Sequence, residues 1–151
     1  MARFLGSTTQ SGADTFTTTA IDTNITVDSK SALSIFHVEA FWDNGEAVAA
    51  ADWECNLTLS TIASSTVYNV ADEIARISWG VQNTAGVAVA VPYEPQKFYV
   101  LPEARVTAQP IIYAQVQSQL TGQANLIRWK IYYEIIKVSE IELLRLVVGG
   151  A

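Results

Sequence analysis

One cysteine, one histidine and one methionine in 151 residues set the first limits on this chain. Cys55 has no second cysteine to pair with, so no internal disulfide and no cysteine-bound metal cluster exists. His37 stands equally alone, which rules out a histidine-rich metal site and any catalytic device that needs a second histidine. Charge is sparse too: charged residues make up 16% of the chain, with nine Lys and Arg against fifteen Asp and Glu. A net charge of -6 argues against general affinity for nucleic acid or anionic membranes. No stretch approaches the roughly 18 apolar residues of a membrane-spanning helix. Arg3-Phe4-Leu5-Gly6-Ser7 is too short an apolar run for a secretory signal, so the expectation is a soluble product of a cytoplasm. Phosphate-cradling glycine loops, paired-cysteine knuckles and basic-aromatic nucleic-acid signatures are all missing from the sequence.

What is present is a β pattern. Half of the residues are hydrophobic, enough for one domain to bury a core without metals or disulfides. Residues 1–13 are rich in Ser, Thr and Gly and are expected to form a flexible or draped arm. The domain proper should span 14–138, with a helix and tail over 139–151. Thr15 to Thr19 and Ile25 to Val27 carry β-branched residues suited to strands. Ala32 to Trp42 alternates, placing Phe36, Val38, Ala40 and Trp42 on one face and His37 and Glu39 on the other. Asp43-Asn44-Gly45 then turns the chain. Trp53, Cys55, Leu57 and Leu59 alternate with Glu54, Asn56, Thr58 and Ser60. Asn69 to Arg76 suits a single helical turn, and Arg76 to Gln82, Gly86 to Val91 and Lys97 to Leu101 return to strand character. Pro102 and Pro110 bracket a loop or short strand. In Ile111 to Leu120, the apolar residues Ile112, Ala114, Val116 and Leu120 face away from Gln115, Gln117 and Gln119.

The end of the chain is its most legible part. Ile127, Trp129, Ile131, Tyr133 and Ile135 recur at period two with Arg128, Lys130 and Glu134 between them, a long strand with one buried and one wet face. Ser139 with Glu142 forms a capping box before Ile141, Leu144, Val147 and Val148, so a short helix should follow and stop at Gly149-Gly150. About eight strands and one terminal helix predict an all-β domain, a single jelly-roll-type antiparallel sandwich. The helix is too apolar to be wet all round, so it either folds onto its own sandwich or docks on a neighbour.

Candidate chemistry is thin. His37 beside Glu39 offers a proton-sensitive pair, but an ordinary surface or interface histidine is the better reading. Cys55 lies between Trp53 and Leu57 without a basic neighbour, as a core thiol would. Asp52 with Glu54, and Asp72 with Glu73, lack any calcium-loop spacing and read as solvated acids. Trp42, Trp53, Trp79 and Trp129 fall on apolar faces and are expected in the core, leaving Tyr93, Tyr99, Tyr113 and Tyr132 as candidates for exposed aromatics. Asn24-Ile25-Thr26 and Asn56-Leu57-Thr58 match the glycosylation triplet by composition alone. The first 54 residues carry eight acids against Arg3 and Lys30, while from Lys97 onward six bases face four acids. Head-to-tail attraction between copies would use that asymmetry; chance placement accounts for it as well.

In layout the chain resembles the single jelly-roll capsid proteins of viruses. The likeness rests on a polar arm over 1–13, long strands at Ala32–Trp42 and Leu126–Val138, and the tail Tyr132-Tyr133-Glu134-Ile135-Ile136-Lys137-Val138-Ser139 running into an apolar helix. It implies a virion structural protein, made in a host cytoplasm, with no catalytic residues, cofactor or metal. Its partners would be itself, as trimers, pentamers or hexamers within a shell, and other virion proteins. Many such proteins carry a basic arm, whereas this one holds Asp14, Asp22 and Asp28 against Arg3 and Lys30, so direct genome binding is not expected. Subunit contacts are expected at Phe4, Leu5, Leu144, Val147 and Val148. The rival expectation is a carbohydrate- or ligand-binding sandwich, which needs coplanar exposed aromatics on one sheet. An enzyme ranks behind both, because no nucleophile–base spacing is visible.

Overall fold

Period-two segments become strands wherever one face can be buried, and the computed structural model, which describes residues 2–26, 29–44, 53–63, 72–81 and 95–148, contains eight of them. They are β1 (Ala2–Thr9), β2 (Thr17–Asp22), β3 (Ser31–Trp42), β4 (Trp53–Ser60), β5 (Glu73–Val81), β6 (Gln96–Thr107), β7 (Ile111–Gln119) and β8 (Leu126–Lys137), followed by helix α1 (Glu140–Val148). One antiparallel sheet runs β1-β8-β3-β6 and the other β2-β7-β4-β5. The chain changes sheet at every connection except the β4–β5 pairing, which winds the two sheets into a jelly roll.

The core lies between the sheets. Leu33, Ile35, Val38, Ala40 and Trp42 of β3 meet Cys55, Leu57 and Leu59 of β4 and Ile112, Ala114 and Val116 of β7, all buried. Trp42 packs on Trp53 and Trp79 at ring-centroid distances of 5.1 and 6.0 Å, filling one end of the sandwich. The faces of β3 differ from simple alternation, however. Phe36 is the extra residue of a bulge: Ile35 pairs with Tyr133 and His37 with Tyr132, so Ile35 and Val38 both face inward and Phe36 leaves the core face.

Residues 1–13 are a correction to the expected arm. Ala2–Thr9 form a full edge strand on β8, held from Ala2↔Tyr133 to Thr9↔Leu126. Two inward contacts seat it. Phe4 stacks on Tyr133 with centroids 4.3 Å apart, and Gly6 crosses the Trp129 ring so closely that a Cβ there would overlap it. Gln10, next in the chain, is buried.

Other expectations also shift. β2 extends to Asp22, and residues 23–26 are not strand; Val27 lies outside the described residues. The helical turn expected from Asn69 is overturned over Glu73–Arg76, which begin β5, while its first residues, Gly86–Val91, Tyr93 and Gly149-Gly150 lie outside the described residues. Pro102 falls inside β6 rather than in a loop. Between Ile35/His37 on β3 and Arg105/Val100 on β6 the register slips around it, as an edge strand tolerates. Leu120 does not close the apolar face of β7: it sits beyond the strand with φ 57° and points to solvent, and Ser118 takes the last inward position.

Helix α1 follows the capping logic. The Glu142 N–H donates to the Ser139 hydroxyl at 3.2 Å, and Lys30 reaches Glu140 at 2.8 Å. Leu143 packs with Ala32, Ala108 and Val138, while Val106, Ile136 and Leu146 complete the contact. The helix therefore lies on the outer side of the β1-β8-β3-β6 sheet, at the end where Ser31 pairs with Lys137. Ile136 is covered by it, while Ile135, which pairs with inward-facing Leu33, is exposed, so the expected burial is lost at the end of β8.

Candidate interaction surface

Antiparallel register assembles an outer face that no single segment contains. On the β1-β8-β3-β6 sheet, Leu5 pairs with Lys130, Lys130 with Glu39, and Glu39 with Phe98, forming one cross-strand row. The next row is Ser7, Arg128, Phe41 and Gln96, and on the other side Arg3, Tyr132, His37 and Val100 form a third. Leu5, Phe98 and Val100 are about 60% exposed or more (59%, 60% and 68%), and Phe41 is also exposed. Between the first two rows lies a groove of about 510 Å³ bordered by Leu5, Glu39, Phe41, Gln96, Arg128 and Lys130.

The charges there are modestly paired. The Arg128 guanidinium reaches Asp43 at 2.9 Å, Lys130 lies 3.7 Å from Glu39, and His37 Nε2 is 3.4 Å from the other Glu39 oxygen. Tyr132 approaches the His37 ring edge-on at 5.1 Å and Phe98 stacks at 6.2 Å. Exposed pairs of this kind contribute little stability and orient side chains more than they hold strands.

A second exposed apolar surface is the free side of α1. Ile141 and Leu144 are 70% and 64% exposed, and Val147 continues their stripe. Of the five expected contact residues, Leu5, Leu144 and Val147 are exposed, whereas Phe4 packs against the core and the Val148 side chain lies outside the described residues. Sequence reasoning passed over Phe41, Phe98 and Val100. The available signal was a large apolar residue at the outward phase of a strand.

The remaining candidates are structural. All four tryptophans are buried, Trp129 donating to the Thr8 hydroxyl at 3.1 Å. The described tyrosines form no common set: Tyr132 and Tyr113 lie on outer faces of different sheets, and Tyr99 pairs with inward-facing Val38. Burial, with the nearby Asp14 and Glu54 charges, pushes the Cys55 thiol up to about 12, far from a reactive thiolate. Asn56 is buried and bonded to Glu54 and Ser78, and Asn24 is held at φ 58°. Glu73 pairs with Arg76, and Asp52 lies outside the described residues.

A buried polar cluster closes the sandwich end beside Trp42. The Asn125 amide nitrogen lies 2.7 Å from Gln10 Oε1, 2.9 Å from the Thr121 hydroxyl and 3.0 Å from the Ser118 hydroxyl, sharing its two N–H groups among them, while its Oδ1 accepts from Trp42 and from Gln123, both at 3.0 Å. Ser118 also donates to Asp14 at 2.8 Å, yet it is buried and no imidazole stands near to take its proton. The cluster braces the loops at this end of the sandwich. Among the described residues no three His, Cys, Asp or Glu side chains converge on a metal position, and no helix is long and apolar enough to cross a membrane.

Compared with models of known protein families and with curated proteins, the chain matches none.

Proposed function

We propose that this chain is a viral structural protein, a jelly-roll capsid subunit whose copies pack side by side into the virion shell. The observation that carries the reading is the jelly-roll strand order combined with two exposed apolar surfaces, one on the outer sheet and one on α1. Jelly rolls also serve as sugar-binding and small-molecule domains, so the fold is shared and the surface must decide. A sugar platform needs exposed flat aromatics in one plane. Here every tryptophan is committed to the core, and the exposed side chains on the outer sheet mix aliphatic with aromatic types, as subunit contacts do. The partner is the chain itself, together with other components of a virion. No cofactor is needed and no catalytic step is assigned.

Light scattering of the purified protein, with negative-stain imaging of the same sample, tests the reading. Closed particles of megadalton mass are expected under some condition of salt and pH. A species that stays at the 16.4 kDa chain mass at every concentration and condition overturns it and moves the ligand-binding sandwich to first place.

A further inference from the structure

We infer that the exposed stripe of α1 in one copy docks across the groove over β1, β8, β3 and β6 of the next copy, making a head-to-tail subunit contact. This rests on the reading of the chain as a self-assembling subunit. Three observations on the same face carry it.

The first is reach. The helix is anchored at the Ala32 end of β3 by Leu143, whereas the groove lies at the Ala40–Phe41 end. Eight residues of strand separate the two, roughly 25 Å. A chain cannot place its own stripe in its own groove, so an α1 helix seated there comes from another copy.

The second is size. The groove crosses four adjacent strands, three strand spacings, or about 14 Å. A nine-residue helix is about 13.5 Å long, so α1 laid across the strands spans the groove from β1 to β6.

The third is charge. The helix is acidic in its first turn, at Glu140 and Glu142, and basic in its last, at Arg145. Across the groove, β8 presents Lys130 and Arg128, and its neighbour β3 presents Glu39. Seating the first turn over β8 and the last over β3 sets Glu142 towards Lys130 and Arg128, and Arg145 towards Glu39. Ile141, Leu144 and Val147 then meet Leu5 and Phe41, and both apolar surfaces leave water at once.

A contact of this kind joins two different patches, so each can be spoiled separately and the intact halves recombined by mixing. That property supplies the test. Leu144→Glu spoils the helix and Leu5→Glu spoils the groove; both side chains face solvent in the single chain, and circular dichroism with thermal melting checks that each variant folds. Each variant alone is expected at the 16.4 kDa mass, and a 1:1 mixture is expected to form a heterodimer of twice that mass and nothing larger. Mixing restores one intact helix–groove pair and no more. Should Leu5→Glu fail to fold, Lys130→Glu on the same row serves as the groove variant. Variants that assemble like the wild type, or a mixture that stays monomeric, overturn the docking while leaving self-assembly standing. A wild-type chain that never assembles overturns both.

Discussion

The Trp42 indole donates its N–H to the Asn125 side-chain oxygen at 3.0 Å, joining the end of β3 to the loop before β8 across 83 residues of chain. Asn125 is fully buried and shares its two amide N–H groups among Gln10, Ser118 and Thr121. Its side chain therefore decides whether that end of the sandwich is closed.

Replacing it by alanine leaves the Trp42 donor and the Gln10 acceptor buried without this partner. Asn125→Ala is expected to cost about 3 kcal/mol, lowering the melting temperature by roughly 6–12 °C. Urea unfolding followed by tryptophan fluorescence measures it. A loss under about 0.5 kcal/mol, the range of an ordinary surface change, would show that the loops repack around the gap.

Leu120 supplies a change of the opposite sign. Its φ of 57° is left-handed backbone that a branched side chain resists, and its side chain is exposed, so nothing is lost on removing it. Leu120→Gly is expected to stabilise the fold by about 1 kcal/mol. A lower melting temperature for the glycine variant would contradict this account.

The acid limb of stability should carry the mark of Asp14. Partial burial pushes its carboxyl up, yet hydrogen bonds from the Thr121 hydroxyl, the Gly122 N–H, the Ser118 hydroxyl and the Thr121 N–H together hold it below the ordinary carboxylate value. A carboxylate depressed by folding adds stability that is complete above its unfolded pKa, near 4, and disappears as pH falls through the folded value. Asp14→Asn is expected to be less stable than wild type at pH 7, the two converging towards pH 3. Denaturation midpoints at pH 3, 4, 5 and 7 read this directly, and parallel curves would remove Asp14 from the explanation.

Truncation separates the two sides of α1. Deleting 139–151 uncovers Ala32, Ala108 and Val138 and removes Leu143, which should cost about 2–3 kcal/mol. Leu144→Glu, on the free side, should stay within about 0.5 kcal/mol of wild type. Calorimetry on the two proteins distinguishes the face that holds the fold from the face open to solvent; equal losses would mean that both faces serve the fold.

Much of this architecture is legible in the residues themselves. β3, β4, β7 and β8 announce themselves because each keeps an apolar phase over most of its length against a well-filled core. β1 hides because Phe4 and Thr8 are its main inward side chains among small polar residues, and its pairing depends on β8, more than a hundred positions away. The bulge at Phe36 is invisible for a related reason: parity along one strand cannot show where its partner skips a residue. The outer face is harder still, since Leu5, Lys130, Glu39 and Phe98 come from four segments that only register sets in a row. The two sides of the helix, by contrast, follow from its spacing once one knows which end of the sheet it covers.

The register slip at Pro102 has a last consequence. β6 is one of the two margins of its sheet, the place where an open row of backbone groups can recruit a foreign strand and grow into fibrils. A ring that donates no N–H, set in a distorted stretch, blunts that margin. Were copies to associate as proposed, that margin would offer little to a foreign strand, and the contact would fall to side-chain surfaces that can come apart again and correct a misplaced neighbour.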